Sequence, residues 1–94
     1  MAGAALYGFA YAPQALENLA ALQPKIRRQI AKRVQGLAAE PYPQGCKKVQ
    51  NISSEEEEPV YRVRQGDYRI LYVVRNNPDQ IIVLDVGHRK DIYK

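Results

Sequence analysis

The sequence predicts an α+β domain in which an antiparallel β-sheet carries an N-terminal αα-hairpin packed on one face. Three observations predict it. Apolar residues recur at helical spacing between Pro13 and Leu37, and they alternate at strand spacing from Val60 to Val86. The alternating segments are separated by Gly66-Asp67 and by Asn76-Asn-Pro-Asp79, short turns that fold strands back on one another. Ninety-four residues make one domain, 1–94, with apolar sequence for a single modest core.

The elements follow in order. Tyr7, Phe9 and Tyr11 alternate with Leu6, Gly8 and Ala10, which reads as a short first strand with an aromatic face. Pro13 suits the first turn of a helix, where its missing N–H has no partner to lose, and Leu16, Leu19 and Ala20 form that helix's apolar stripe. Pro24 restarts the pattern: Ile26, Ile30, Val34 and Leu37 recur at helical spacing, while Lys25, Arg28, Lys32 and Arg33 point elsewhere. The two helices form a hairpin that ends before Pro41. Residues 41–59 hold three prolines, a glycine, two serines and the run Glu55–Glu58 without periodicity, and read as a long, mobile acidic loop. Strands are then expected over about Val60–Gln65, Tyr68–Arg75 and Gln80–Val86.

Composition narrows the function. One cysteine, Cys46, makes no internal disulfide, and with one histidine it builds no structural zinc site; that count fits a reducing cytoplasm. The start lacks the basic and apolar regions of an export signal, and no apolar run reaches bilayer-spanning length, so a soluble, cytoplasmic protein with no membrane partner is expected. The formal net charge is +4, but four of the 10 acids are consecutive; without them 14 cations face 6 acids, leaving +8. A body that basic attracts polyanions such as nucleic acid, or an acidic protein.

The hairpin register shows where the cations meet. Glycine at the first central position of Gly66-Asp67 permits a type II′ turn. A two-residue loop then sets Gln65 against Tyr68, Arg64 against Arg69, Val63 against Ile70, Arg62 against Leu71 and Tyr61 against Tyr72. Because side chains alternate, Arg62, Arg64 and Arg69 fall on one face, and Tyr61, Val63, Ile70 and Tyr72 on the other, a floor for the helices. Like charges directly opposite each other destabilise a strand pair, so Arg64 and Arg69 are either solvated, with stems covering apolar surface, or bridged by an anion. Pairing the last strand with Arg75 opposite Gln80 places Val86 beside Arg69. His88 and Arg89 then emerge at the same end of the sheet, and Arg62, Arg69 and Arg89 are positioned to surround one phosphate. His88 reads either as a surface residue or as a phosphate contact and proton carrier. Tyr93 reads either as a packing residue or as a base-stacking or proton-donating one.

These residues resemble the RelE/ParE superfamily of bacterial and archaeal toxins. The resemblance covers nearly the whole chain: the first strand, the Ala15-Leu16-Glu17-Asn18-Leu19 and Ile26-Arg27-Arg28-Gln29-Ile30 rhythm of the helices, the stretch Tyr61–Tyr72, and Val86-Gly-His-Arg-Lys-Asp-Ile-Tyr93. It implies the RelE-like fold and a toxin of a type II toxin–antitoxin system. The RelE-like branch implies a ribosome-dependent endoribonuclease that cleaves mRNA in the A site by metal-independent 2′-OH transesterification, without a cofactor. In that role Arg69 and Arg89 match the family's phosphate-gripping arginines and Tyr93 its C-terminal tyrosine. Arg62 stands where a basic catalytic residue, commonly lysine, is found. Val60 stands where a further lysine is frequent, and an arginine is a poor base. Lys47, Lys48, Arg64 and His88 are the expected RNA contacts around this set. The implied partners are a RelB-like acidic antitoxin, mRNA and the ribosome, with operator DNA bound through the antitoxin. Two alternatives share the fold: a ParE-like inhibitor of DNA gyrase, and a degenerate module that binds antitoxin without activity.

Overall fold

The computed structural model describes residues 6–53 and 57–88. The chain runs β1 (Gly8–Tyr11), α1 (Pro13–Ala20), α2 (Pro24–Ala39), β2 (Lys47–Ser53), β3 (Pro59–Gln65), β4 (Tyr68–Arg75) and β5 (Gln80–His88). The strands form one sheet in the order β1-β5-β4-β3-β2. The α+β class holds. The sheet is mixed rather than wholly antiparallel, because β1 lies parallel to β5, with Gly8 opposite Gln80 and Tyr11 opposite Val83.

Both helices open on proline at the first helical turn and neither has a side-chain N-cap. Arg27 closes the connection between them, donating from its guanidinium to the carbonyls of Ala20 and Leu22 at 3.4 and 3.3 Å. In α2 the buried residues are Ile30, Val34, Leu37 and Ala38, which carry the expected stripe. In α1 the stripe is rotated from expectation. Ala15 is fully buried and Leu19 packs beside it, whereas Leu16 is 53% exposed. The small side chain at Ala15 faces the core, and Leu16, one residue on, turns away from it.

The β3–β4 hairpin has the register its turn dictates, from Gln65 opposite Tyr68 to Tyr61 opposite Tyr72. Gly66 takes φ +61°, and Asp67 is not among the described residues with positive φ, as a type II′ turn requires. At the second turn Arg75 faces Gln80, as expected, and Asn76 Nδ2 donates to Asp79 Oδ1 at 2.8 Å. Past Tyr72–Val83 the register slips: Leu71 faces Asp85, which leaves Leu84 as an extra residue in β5. Asp85 pins this bulge, its Oδ1 accepting from the backbone N–H of Val86 at 2.9 Å and from Asn18 Nδ2 on α1. The slip corrects the expected Val86–Arg69 pairing, since Ile70 faces Val86 and Arg69 faces Gly87.

The expectation of an irregular loop over 41–59 also needs correction. Lys47–Ser53 is an edge strand, pairing Lys47 with Arg62 and Lys48 with Tyr61, with a register irregularity before Ser53–Pro59. Within the acidic run, Glu58 is not simply solvated: its two carboxylate oxygens accept from Arg75 Nε and Nη2, both at 2.9 Å. Glu55 and Glu56 lie outside the described residues. No helix among the described residues is long and apolar enough to cross a membrane.

The two sheet faces carry separate apolar clusters. Beneath the helices, Ala15, Ile30, Val34 and Leu37 meet Val63, Ile70, Tyr72, Ile81, Val83 and Val86. On the opposite face Val49, Val60, Leu71 and Val73 form a smaller cluster flanked by Ile82 and Leu84.

Candidate functional site

The face opposite the helices carries the cations. Arg62 and Arg64 lie two apart on β3, and Arg69 stands directly across from Arg64 on β4. Lys47 stands across from Arg62 on β2, so its side chain joins the same face. Arg64 is exposed, whereas Arg62 and Arg69 are half-buried. Their stems lie on the face that holds Val49, Val60 and Leu71, an arrangement that covers apolar surface, and the Nε of Arg69 is itself buried there. Val60 is fully buried in that cluster and serves as a packing residue.

Two hollows open along this strip. A shallow one of about 50 Å³ is lined by Arg64, Gly66, Asp67, Tyr68 and Arg69. A larger one of about 340 Å³ is lined by Arg33, Gly45, Lys47, Arg62 and Arg64. The larger hollow exists because β2 starts late: its first residue, Lys47, pairs with Arg62, so β2 leaves the last residues of β3 uncovered on that edge. Arg64 borders both hollows. Among the described residues, none of Arg33, Lys47, Arg62 and Arg64 has a carboxylate partner.

The sequence singled out Lys47, Arg62, Arg64 and Arg69, and the structure brings them together. Two other residues fall elsewhere. Lys48 pairs with Tyr61 and turns to the other face. His88 faces Tyr68, with the two rings edge-on at 5.5 Å, and so lies on the helix side of the sheet rather than beside Arg69. Arg89 and Tyr93 lie outside the described residues. Arg33 is the residue that sequence reasoning missed. It is three residues after Ile30 and four before Leu37, both buried, and this places it on the flank of α2's inner stripe rather than on its outer face. That spacing was the available signal.

On the helix side of the sheet Tyr42, Tyr61 and Tyr72 cluster, with Arg33 close enough to act on the Tyr72 hydroxyl. Tyr72 Oη donates to the carbonyl of Pro41 at 2.7 Å, and the Cys46 backbone N–H donates to the Pro43 carbonyl at 3.0 Å. Together these bonds hold residues 41–46 as a tight connection. Burial pushes the Tyr72 hydroxyl's pKa well above its ordinary value, nearby Cys46 and Tyr42 add to the rise, and the Arg33 guanidinium opposes it. The Tyr42 pKa is raised as well, by burial first and then by Tyr61, Tyr7 and Cys46. Both phenols stay protonated at neutral pH, and Tyr72 serves as a donor. Tyr42 stands 54% exposed, with its ring at a steep angle to that of Tyr61, 5.1 Å away.

The model of the family described as the ParE toxin of the type II toxin–antitoxin system, parDE, matches residues 9–93. A comparison with curated proteins finds no match. Among solved structures, the RelBE2 toxin–antitoxin complex of Mycobacterium tuberculosis is 25% identical with a TM-score of 0.72, covering 89% of this chain and 99% of its own. The RelE–RelB complex of Pyrococcus horikoshii is 25% identical with a TM-score of 0.73, covering 92% and 98%. The RelB–RelE complex of Methanococcus jannaschii is 28% identical with a TM-score of 0.62, covering 88% and 93%.

Proposed function

The chain belongs to the family of ParE toxins of type II toxin–antitoxin systems, and within that family we propose that it is an RNA-cleaving toxin that acts on mRNA in the ribosomal A site and so inhibits translation. The observation that carries this reading is the cationic face: a turn-fixed register sets Arg62, Arg64 and Arg69 side by side, and β2 adds Lys47. Similarity to RelE chains crystallised with RelB antitoxins supports the same branch and a RelB-like acidic antitoxin as partner.

The chemistry requires little beyond charge and alignment. A ribose 2′-hydroxyl gives its proton to solvent as its oxygen attacks the adjacent phosphorus, the P–O5′ bond breaks, and a 2′,3′-cyclic phosphate remains on one product while the 5′-oxygen of the other takes up a proton. Negative charge gathers on the phosphoryl oxygens and the leaving oxygen, and fixed cations stabilise it without reorganising. Arg69 grips the phosphate; its planar fork suits two oxygens at once. Arg62 orients the same group. By the family resemblance Arg89 adds a second grip, and Tyr93 stacks on a base or moves a proton.

The name of the matching family favours a second reading, a ParE-like protein that docks on DNA gyrase through the same basic face. Primer extension on translated mRNA after induction of this chain separates the two. Discrete cuts at codon positions are expected; intact transcripts accompanied by broken DNA would replace the nuclease reading with the gyrase one.

A further inference from the structure

We infer that the hollow between α2 and the open edge of β3 is a second phosphate site, built by Arg33, Lys47 and Arg64, which holds the RNA strand as it runs on from the cleaved phosphate toward Tyr42. This rests on the nuclease reading and adds to it a residue, Arg33, that the resemblance does not include.

Three observations carry it. Cations from three separate elements, α2, β2 and β3, line one hollow of about 340 Å³, and no carboxylate among the described residues neutralises Arg33, Lys47, Arg62 or Arg64. Like charges gathered in this way repel each other, and a bound anion reverses the sign of that interaction. Second, Arg64 borders both this hollow and the one that Arg69 lines, so the two positions are neighbours along one path. Third, the connection that supplies Gly45 to the hollow also presents Tyr42, more than half exposed and braced against Tyr61. A cationic groove with an open aromatic ring three residues along the connection at its rim suits single-stranded nucleic acid, phosphate on the cations and base on the ring. An acidic protein segment would use the cations and leave the ring idle.

The site is held in place. Tyr72 donates to the Pro41 carbonyl at the start of the connection. Gly45 takes φ +91°, a conformation that side chains resist and glycine accepts, and nothing stands within 4 Å of where a Cβ would sit. The backbone geometry, not crowding, therefore calls for glycine at the rim.

The test is equilibrium binding of the full-length chain to a short single-stranded RNA with every ribose 2′-O-methylated, read by fluorescence anisotropy across salt concentrations. Methylation removes the nucleophile, so binding is measured independently of cleavage. Arg33→Gln is expected to weaken binding about tenfold and to lower the slope of log affinity against log salt by about 0.7, the loss of one phosphate contact. Arg33→Lys should restore most of the slope. Tyr42→Ala is expected to weaken binding about tenfold with the slope unchanged, because stacking releases no counterions. Arg28→Gln, on the exposed side of α2, should change neither. Wild-type affinity and slope in a folded Arg33→Gln protein would overturn the site. So would Arg33-dependent binding of polyglutamate without binding of RNA, which would assign the hollow to an acidic protein segment. Transcripts left intact in the primer extension, together with Arg33-dependent RNA binding, would reject the nuclease reading and leave this site standing.

Discussion

The two faces of the sheet are made by the same strands and do opposite things. Under the helices, Val63, Ile70, Tyr72, Ile81 and Val83 are at most 1% exposed, and among the described residues no charged side chain is buried with them. On the other face the apolar cluster is smaller, and toward the Gly66 turn it gives way to Arg62, Arg64 and Arg69. A period of two lets one strand serve both purposes: each residue that stabilises the fold is followed by one released from doing so. Stability and function therefore respond to different substitutions in adjacent positions.

The largest effect should come from the helix-covered face. Leu37 is fully buried, and Leu37→Ala is expected to cost about 2–5 kcal/mol of stability. In a domain of this size that lowers the midpoint of thermal unfolding by more than about 10 °C. Leu16→Ala, on the exposed flank of α1, should stay within about 0.5 kcal/mol of the parent. Equal losses from the two leucines would mean that α1 is rotated to bury the stripe its sequence advertises.

Next in size is Arg69→Ala, which should lower cleavage of ribosome-bound mRNA by about 10²-fold or more, the effect of removing one preorganised charge-stabilising donor. Thermal unfolding should move little by comparison with Leu37→Ala. Arg69→Lys should also be impaired, because a point charge does not reproduce a planar grip. Full cutting by a folded Arg69→Ala protein would sink the phosphate-clamp reading, and the division of labour between the faces with it.

Much of this contrast was legible before any coordinates. A glycine-first, two-residue turn fixes the β3–β4 register, and the pairing Arg64–Arg69 follows from arithmetic. What escaped has physical reasons. β2 is an edge strand in which polar residues outnumber Val49 and Ile52, and it precedes four glutamates, so its local signal was that of a loop. The β5 bulge inserts Leu84 without any turn residue to announce it. Its effect is to reverse the alternation, so that Val86 packs under the helices and His88 turns to Tyr68. Arg33 becomes part of a site only because β2 begins late and leaves the edge of β3 open beside α2. That is a tertiary fact, which helical spacing alone does not contain.

The smallest effect at neutral pH concerns the joint between the two faces. Tyr72 belongs to the inner core, yet its hydroxyl reaches out to hold the Pro41 carbonyl, where the connection carrying Tyr42 and Gly45 begins. Tyr72→Phe keeps the ring and removes the hydroxyl with its hydrogen bond to Pro41, which is half-buried and open to water in its place. The expected loss is about 0.5 kcal/mol at pH 7, at the lower end of what a neutral hydrogen bond contributes. The difference should then shrink in alkali, for a reason whose sign is definite. The folded-state pKa of Tyr72 is raised, chiefly by burial, above its unfolded value near 10. The folded protein therefore keeps a proton that the unfolded chain releases, and this contribution is complete below about pH 10 and declines as pH rises beyond it. Tyr72→Phe lacks that titration, so its stability should fall less steeply above pH 10 than the parent's. Denaturant unfolding of both proteins between pH 7 and 11 measures this directly. Parallel curves across that range would mean that the Tyr72 hydroxyl titrates as freely in the folded chain as in the unfolded one, and that the connection beside the cationic hollow is not anchored from the core.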